Sequence, residues 1–257
     1  VVAALAQLIM QLPGLKGVHL RLSLDWRHPV IRRILLLYGP VVLSVIIQNV
    51  GVIIDRNLAS RTIAEAITYM NKATFLIQLP LGPVSMAVSL AVLPTLSQLD
   101  AVNQSGLFRT TLARGLRLVL AIIIPSTIGL VALGRPIIAL IYEHGEFGVI
   151  DTAGTVRALQ LYLFGLPFNA IDLPLVFAFY SQKDTLRPVL VGIASVVVYL
   201  VVAPLLAFAL HWGYLGLVAG NSAQLISHAL IMLWIFGRRY GGLQGQGMGA
   251  MVIKSVL

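Results

Sequence analysis

Cysteine is absent from the chain, so neither a disulfide nor a thiolate metal site can hold any part of it together. The five histidines are scattered without the spacing of a ligand pair, and no metal is expected. Charge is scarce too: 11% of the 257 residues are Asp, Glu, Lys or Arg, against about 25% in an ordinary soluble domain. With 58% hydrophobic residues and a mean hydropathy of +0.93, that deficit rules out a soluble globular protein and indicates an integral membrane one. Acids are the scarcer sign, leaving a formal charge of +9. In a soluble chain this would suggest nucleic acid, but here the basic residues sit in short connectors between apolar runs, and no nucleic acid partner is expected. The Gly-rich run Gly241 to Gly249 has no strand before it and no Lys-Ser/Thr ending, so it reads as a linker, not a phosphate loop. Because the chain starts at Val1 without a charged leader and stops inside an apolar run, it is expected to be a piece of a longer protein.

What is present is a series of long apolar runs, and the stretch from Ala66 to Leu99 organises the rest. From Ala73 to Leu93 it carries no charge and, at about 1.5 Å per residue, is long enough to cross a hydrocarbon core of roughly 30 Å. Asn71, Thr74, Gln78, Gly82, Ser85 and Ser89 recur at helical steps and draw one polar, small-residue stripe along it. Such a stripe is expected to face protein or water. Pro80 and Pro83 remove backbone donors in mid-span, which a membrane tolerates only where neighbours satisfy the freed carbonyls. A bent helix with a wet face suggests a transporter.

Taken in order, residues 1–12 read as the end of a span, and residues 13–33 as a basic interfacial connector with Trp26 at headgroup level. Six spans follow, at Ile34 to Ile54, Ala73 to Leu93, Leu116 to Leu133, Val156 to Ser181, Val189 to Leu210 and Tyr214 to Phe236; a linker and the start of another span occupy 237–257. Alternate connectors hold Lys16, Arg21, Arg27, Arg32 and Arg33, then Arg109, Arg114 and Arg117, then Lys183 and Arg187, then Arg238 and Arg239. The opposite set holds only Arg56, Arg61, Arg135 and Arg157, together with Asp55, Glu65, Glu143, Glu146 and Asp151. By the positive-inside rule the first set is cytoplasmic.

Two spans carry further polar residues. Asp172 lies near the middle of the fourth, on one face with Tyr162, Gly165 and Asn169 and between Pro167 and Pro174. A carboxylate in a bilayer costs several kcal/mol unless neutral, paired or hydrated, so Asp172 and Asn169 are candidates for binding H⁺ or Na⁺. Asn221, Gln224 and His228 align in the last full span, where such residues commonly join helices. Glu143, His144 and Glu146 lack the second histidine of a metal motif and are expected to pack an outer loop.

Several strings then carry a likeness. They are Tyr69 to Ala73, QLPLG from Gln78, SLAVLPTLSQL from Ser89, DRNLAS from Asp55, LIYEHGEF from Leu140 and FYSQKDTLRPV from Phe179. In this order the chain resembles the lipid II flippase family, MurJ/MviN, of the multidrug/oligosaccharide-lipid/polysaccharide exporter superfamily. That resemblance implies an all-α polytopic bundle in which residues 34–236 form the second six-helix lobe, with a first lobe outside this chain. It implies residence in the bacterial inner membrane, and a non-enzymatic role: moving the lipid-linked peptidoglycan precursor outward by alternating access between the lobes.

A diphosphate head crossing hydrocarbon needs cationic and polar groups in a wet cavity. Arg56 and Lys72 are the expected cations, with Asn49, seven residues before Arg56, and Asn71, Thr74 and Gln78 of the stripe as polar lining. Where many family members place an Asp-Arg pair, this chain has Thr74 and Phe75. Members that bind a cation in this lobe are credited with using an Asp of its first helix and an Asn or Asp of the fifth; Asp55 matches the former, and Val189 to Leu210 holds neither of the latter. No cofactor is expected beyond Na⁺ or H⁺ as coupling ion. The alternatives are a cation-coupled drug or polysaccharide exporter of the same superfamily and a non-transporting membrane scaffold. By itself the chain is expected not to transport, since six helices cannot enclose a two-lobed cavity.

Overall fold

The computed structural model describes residues 7, 10, 29–99, 101 and 103–243. The span ending expected at residues 1–12, most of the basic connector and the further span near Met248 lie outside them. The chain divides into two compact units, Val1–Tyr38 and Gly39–Leu257. In the first, the described stretch is the opening of a single helix; the second holds the cavities considered below.

Six long helices follow one another: α1, Pro29–Ser60; α2, Ala66–Gln98; α3, Ser105–Tyr142; α4, Val149–Ser181; α5, Leu186–Pro204; and α6, Tyr214–Tyr240. A π-helical turn, Leu205–Ala209, prolongs α5. Five of these, α2, α3, α4, α5 with its extension and α6, are long and apolar enough to cross a membrane. The remaining helix, α1, covers the first expected span, and its described apolar side chains Val42, Leu43, Val45, Ile46, Val50, Val52 and Ile53 are exposed. Helix ends follow local chemistry. Gly148 opens α4 with its N–H donating 2.8 Å to Asp151 Oδ2, and Gly241, at φ 85°, ends α6 in the left-handed region just after Arg238 and Arg239.

Within the bundle α4 is central, packing on α2, α3 and α6. One core gathers Tyr69, Leu76, Leu159, Leu166 and Leu217 toward the start of α2; another gathers Phe108, Leu112, Phe179 and Phe236 at the opposite end. There Phe108 and Phe236 stack at 6.2 Å, and Phe179 meets Phe236 edge-on at 6.3 Å. Because hydrocarbon is as apolar as leucine, helices in lipid hold together by close packing and hydrogen bonds, which favours small residues at their seams. The α5–α6 seam shows this: a Cβ at Gly220 would lie 2.5 Å from that of Ala203, and one at Gly216 would lie 2.6 Å from Ala207 Cα. Side chains have no room there.

Prolines are handled as the sequence requires. Pro174 removes the N–H that would bond the Ala170 carbonyl, and Ser85 Oγ of α2 donates to that carbonyl at 3.1 Å instead. Ser85 and Ser89 are therefore buried inside the bundle, with Ser89 Oγ turned back onto the Ser85 carbonyl at 2.6 Å. The polar stripe of α2 thus has two parts, and of these Thr74 and Gln78 in the first border a cavity while Ser85 and Ser89 in the second are buried.

Candidate functional site

Two of the cavities in the Gly39–Leu257 unit lie one toward each end of the bundle. The first, of about 420 Å³, is bordered by the end of α1, the first half of α2 and the facing parts of α4, α5 and α6. Asp55, Arg56, Thr74, Gln78, Tyr162, Asn169, Tyr199, Asn221 and Gln224 supply its polar lining. Neighbours on a helix project about 100° apart, so adjacent charges on α1 reach different helices. Asp55 accepts a hydrogen bond from the Tyr199 hydroxyl of α5, while Arg56 Nη2 donates to Asn71 Oδ1 of α2. Arg56 Nη1 is buried and has no hydrogen-bond partner among the described residues. A guanidinium N–H in that state is costly to leave unpaired and presents a donor suited to an anionic oxygen.

The second cavity, about 430 Å³, lies nearer the α4–α5 connector and is lined by Asn169, Asp172 and Tyr180 of α4, Ser195 of α5, and Gln224 and His228 of α6. Asp172 Oδ1 stands 2.6 Å from His228 Nδ1. Asn169, Val196, Gln224 and Leu225 border both cavities and form the wall between them.

The expected site residues separate accordingly. Arg56, Thr74, Gln78 and Asp55 line the first cavity, Asp172 the second, and Asn169 both. Asn71 reaches the first cavity through Arg56. Asn49 borders neither: it is exposed, and its Nδ2 donates to the Val45 carbonyl of its own helix at 2.8 Å. Lys72 points elsewhere, its Nζ 3.9 Å from the Tyr142 ring centroid and 4.6 Å from that of Phe147, so it pins the α3–α4 connector by cation–π contact. That connector is fastened further where Thr152 Oγ1 donates to Glu143 at 2.8 Å and the Tyr69 hydroxyl to Asp151 at 2.7 Å. Phe75, where many relatives were expected to carry Arg, is largely exposed at 58%. Among the described residues, no three His, Asp or Glu side chains converge as a metal site would need.

Two partners went unassigned in the sequence. Tyr199 sits alone in the aliphatic run VVVYLVVA, and a buried phenol needs a hydrogen-bond partner, which was the available signal. His228, one of the three polar residues that align on α6, joins that helix to α4 as expected, through Asp172.

Over residues 1–257 the chain matches the family model described as Lipid II flippase MurJ. It belongs to the lipid II flippase MurJ family. The curated MurJ relatives include the probable lipid II flippase MurJ of Vibrio cholerae, 30% identical over 255 residues, which cover 98% of this chain and 47% of that protein. The lipid II flippase MurJ of Burkholderia cenocepacia is 29% identical over 204 residues, covering 77% of this chain and 40% of its own. This chain thus spans about half the length of the MurJ relatives it matches. A solved lipid II flippase MurJ in an inward closed conformation superposes with a TM-score of 0.75 at 24% identity, over 93% of this chain and 49% of the other. An outward-facing MATE family multidrug resistance transporter of the MOP superfamily gives 0.69 at 14% identity, over 86% and 49%. Those likenesses show the fold: an all-α, multi-pass membrane bundle corresponding to about half of a MurJ-type chain.

Proposed function

We propose that this chain is the second lobe of a lipid II flippase, seated in the bacterial inner membrane with Lys183, Arg187, Arg238 and Arg239 on the cytoplasmic side. Together with a first lobe it moves the lipid-linked peptidoglycan precursor outward by alternating access, binding and releasing without covalent chemistry. The observation that carries the reading is Arg56: a cation at the mouth of a polar cavity, with one donor on Asn71 and another buried and unpartnered among the described residues. A diphosphate oxygen is the kind of acceptor that geometry suits. Thr74, Gln78, Asn169 and Gln224 would line the passage of the sugar-peptide head. A coupling ion, Na⁺ or H⁺, would act through Asp55, Asp172 and Asn169, whose positions along the two cavities suit a carboxylate that must be paired or hydrated within a membrane.

Complementation of a flippase-depleted bacterium by the complete gene tests this. Growth restored by the wild-type gene and lost with Arg56→Ala supports the reading. Full growth with Arg56→Ala removes Arg56 from it, and failure of the wild-type gene with normal membrane insertion favours another cargo or a scaffold. In vesicles the 257-residue chain alone should not flip lipid II, because the other wall of the passage belongs to the first lobe; flipping by the chain alone would contradict that.

A further inference from the structure

We infer that Asp172 and His228 form a proton-binding site, and that the ion taken there is H⁺ and not Na⁺. This deepens the transport reading, on which it depends only for its consequence. The pair joins α4 to α6 across the second cavity, with Oδ1 to Nδ1 at 2.6 Å and both side chains largely withdrawn, at 23% and 15% exposure. At that separation a carboxylate oxygen and a bare ring nitrogen would repel, so the proton of neutral His228 resides on Nδ1, between them. The other nitrogen is then the base. Nε2 makes no hydrogen bond among the described residues, and it faces Gly192 of α5, where an added Cβ would come within 4.0 Å.

The proton balance is simple. A hydronium ion entering the cavity gives its proton to the Nε2 lone pair and leaves as water; the imidazolium formed is neutralised by the Asp172 carboxylate. Unloaded, the pair carries one negative charge; loaded, it carries none. A hydrocarbon-bounded cavity penalises the charged state when water is excluded and tolerates it when water enters, so loading is linked to closure. Few other groups compete. Tyr180 is the other titratable residue of the cavity; α5 contributes no charged or titratable side chain to its lining, and α1 contributes Ile47. Asp55 and Arg56 face the other cavity. A hard cation requires several oxygen ligands, whereas here the nearer carboxylate oxygen already faces a nitrogen, the group whose proton affinity lies in the physiological range.

The test is a pH titration of the complete protein in lipid nanodiscs, with ¹⁵N-labelled histidine and the His228 signals assigned by their loss in His228→Gln. The expected result is a change of Nε2 protonation within the pH range over which the protein stays folded. Asp172→Asn should cost at least about tenfold in proton affinity, as the imidazolium loses its counter-charge. Gly192→Val, which keeps both charges and fills the space before Nε2, should slow proton exchange there. Exchanging Na⁺ for K⁺ at fixed pH should move nothing. An Nε2 that holds one state across that range, or shifts with Na⁺ instead of pH, overturns the inference, and the wild-type titration decides this even if Asp172→Asn does not fold. Normal titration in a protein that fails to flip lipid II would instead count against the cargo and leave the proton site standing.

Discussion

Each of the two cavities holds one carboxylate on one helix, met by a partner from the α5–α6 hairpin, yet they differ in what that partner can do. Asp55 meets a phenol and sits beside an arginine, so the first cavity has a permanent cation and a carboxylate held by a group that does not titrate near neutrality. Asp172 meets an imidazole, the group on which the inferred proton site of the second cavity rests. On the proposed reading, the contrast would place two tasks of a transporter, holding an anionic cargo and sensing an ion, in two chambers that share the Asn169–Gln224 wall.

The contrast can be broken most sharply at Arg56. Arg56→Ala removes the fixed cation, and a lost charge-assisted hydrogen bond of about 1.5–3 kcal/mol corresponds to a drop of about 10- to 100-fold in lipid II flipping by the complete protein in proteoliposomes. Proton binding at His228 should be unaffected by it. Next comes Tyr199→Phe, which leaves the Asp55 carboxylate without its hydroxyl partner and should destabilise the bundle by about 1–3 kcal/mol, read as an earlier unfolding midpoint in mild detergent. Lys72→Met should have a smaller effect, about 0.5–1 kcal/mol, loosening the α3–α4 connector to proteolysis while flipping persists; a loss of flipping as large as that of Arg56→Ala would return Lys72 to the cargo path. The smallest change is expected for Ser85→Ala, about 0.6 kcal/mol in the same melt, because the Ala170 carbonyl loses one donor and neither cavity loses lining.

How much of this was legible beforehand depended on distance along the chain. Apolar runs and basic connectors marked the spans, because hydrocarbon thickness and backbone satisfaction leave helices few alternatives. The stripe on α2 was visible as a periodicity, but periodicity gives direction and not depth. Thr74 and Gln78 reach a cavity, whereas Ser85 and Ser89 are sealed against α4. Asn49 illustrates the same limit: seven residues keep it on the Arg56 face, but about two turns lower, where it bonds its own helix. Pairings were the least legible. Asp55 with Tyr199 and Asp172 with His228 join residues 144 and 56 positions apart, and no local spacing encodes them. Only the rule that an intramembrane acid needs a partner pointed that way, and it does not say which partner.

The glycine seam between α5 and α6 has a mechanical outcome. With Gly216 and Gly220 pressed onto Ala207 and Ala203, sliding one rod along the other would drive larger residues into backbone, which favours movement of the hairpin as one lever. Tyr199 rides on one arm and His228 on the other. A swing of that lever that loosened the grip on Asp55 would also tug at Asp172, linking the two chambers through the hairpin backbone.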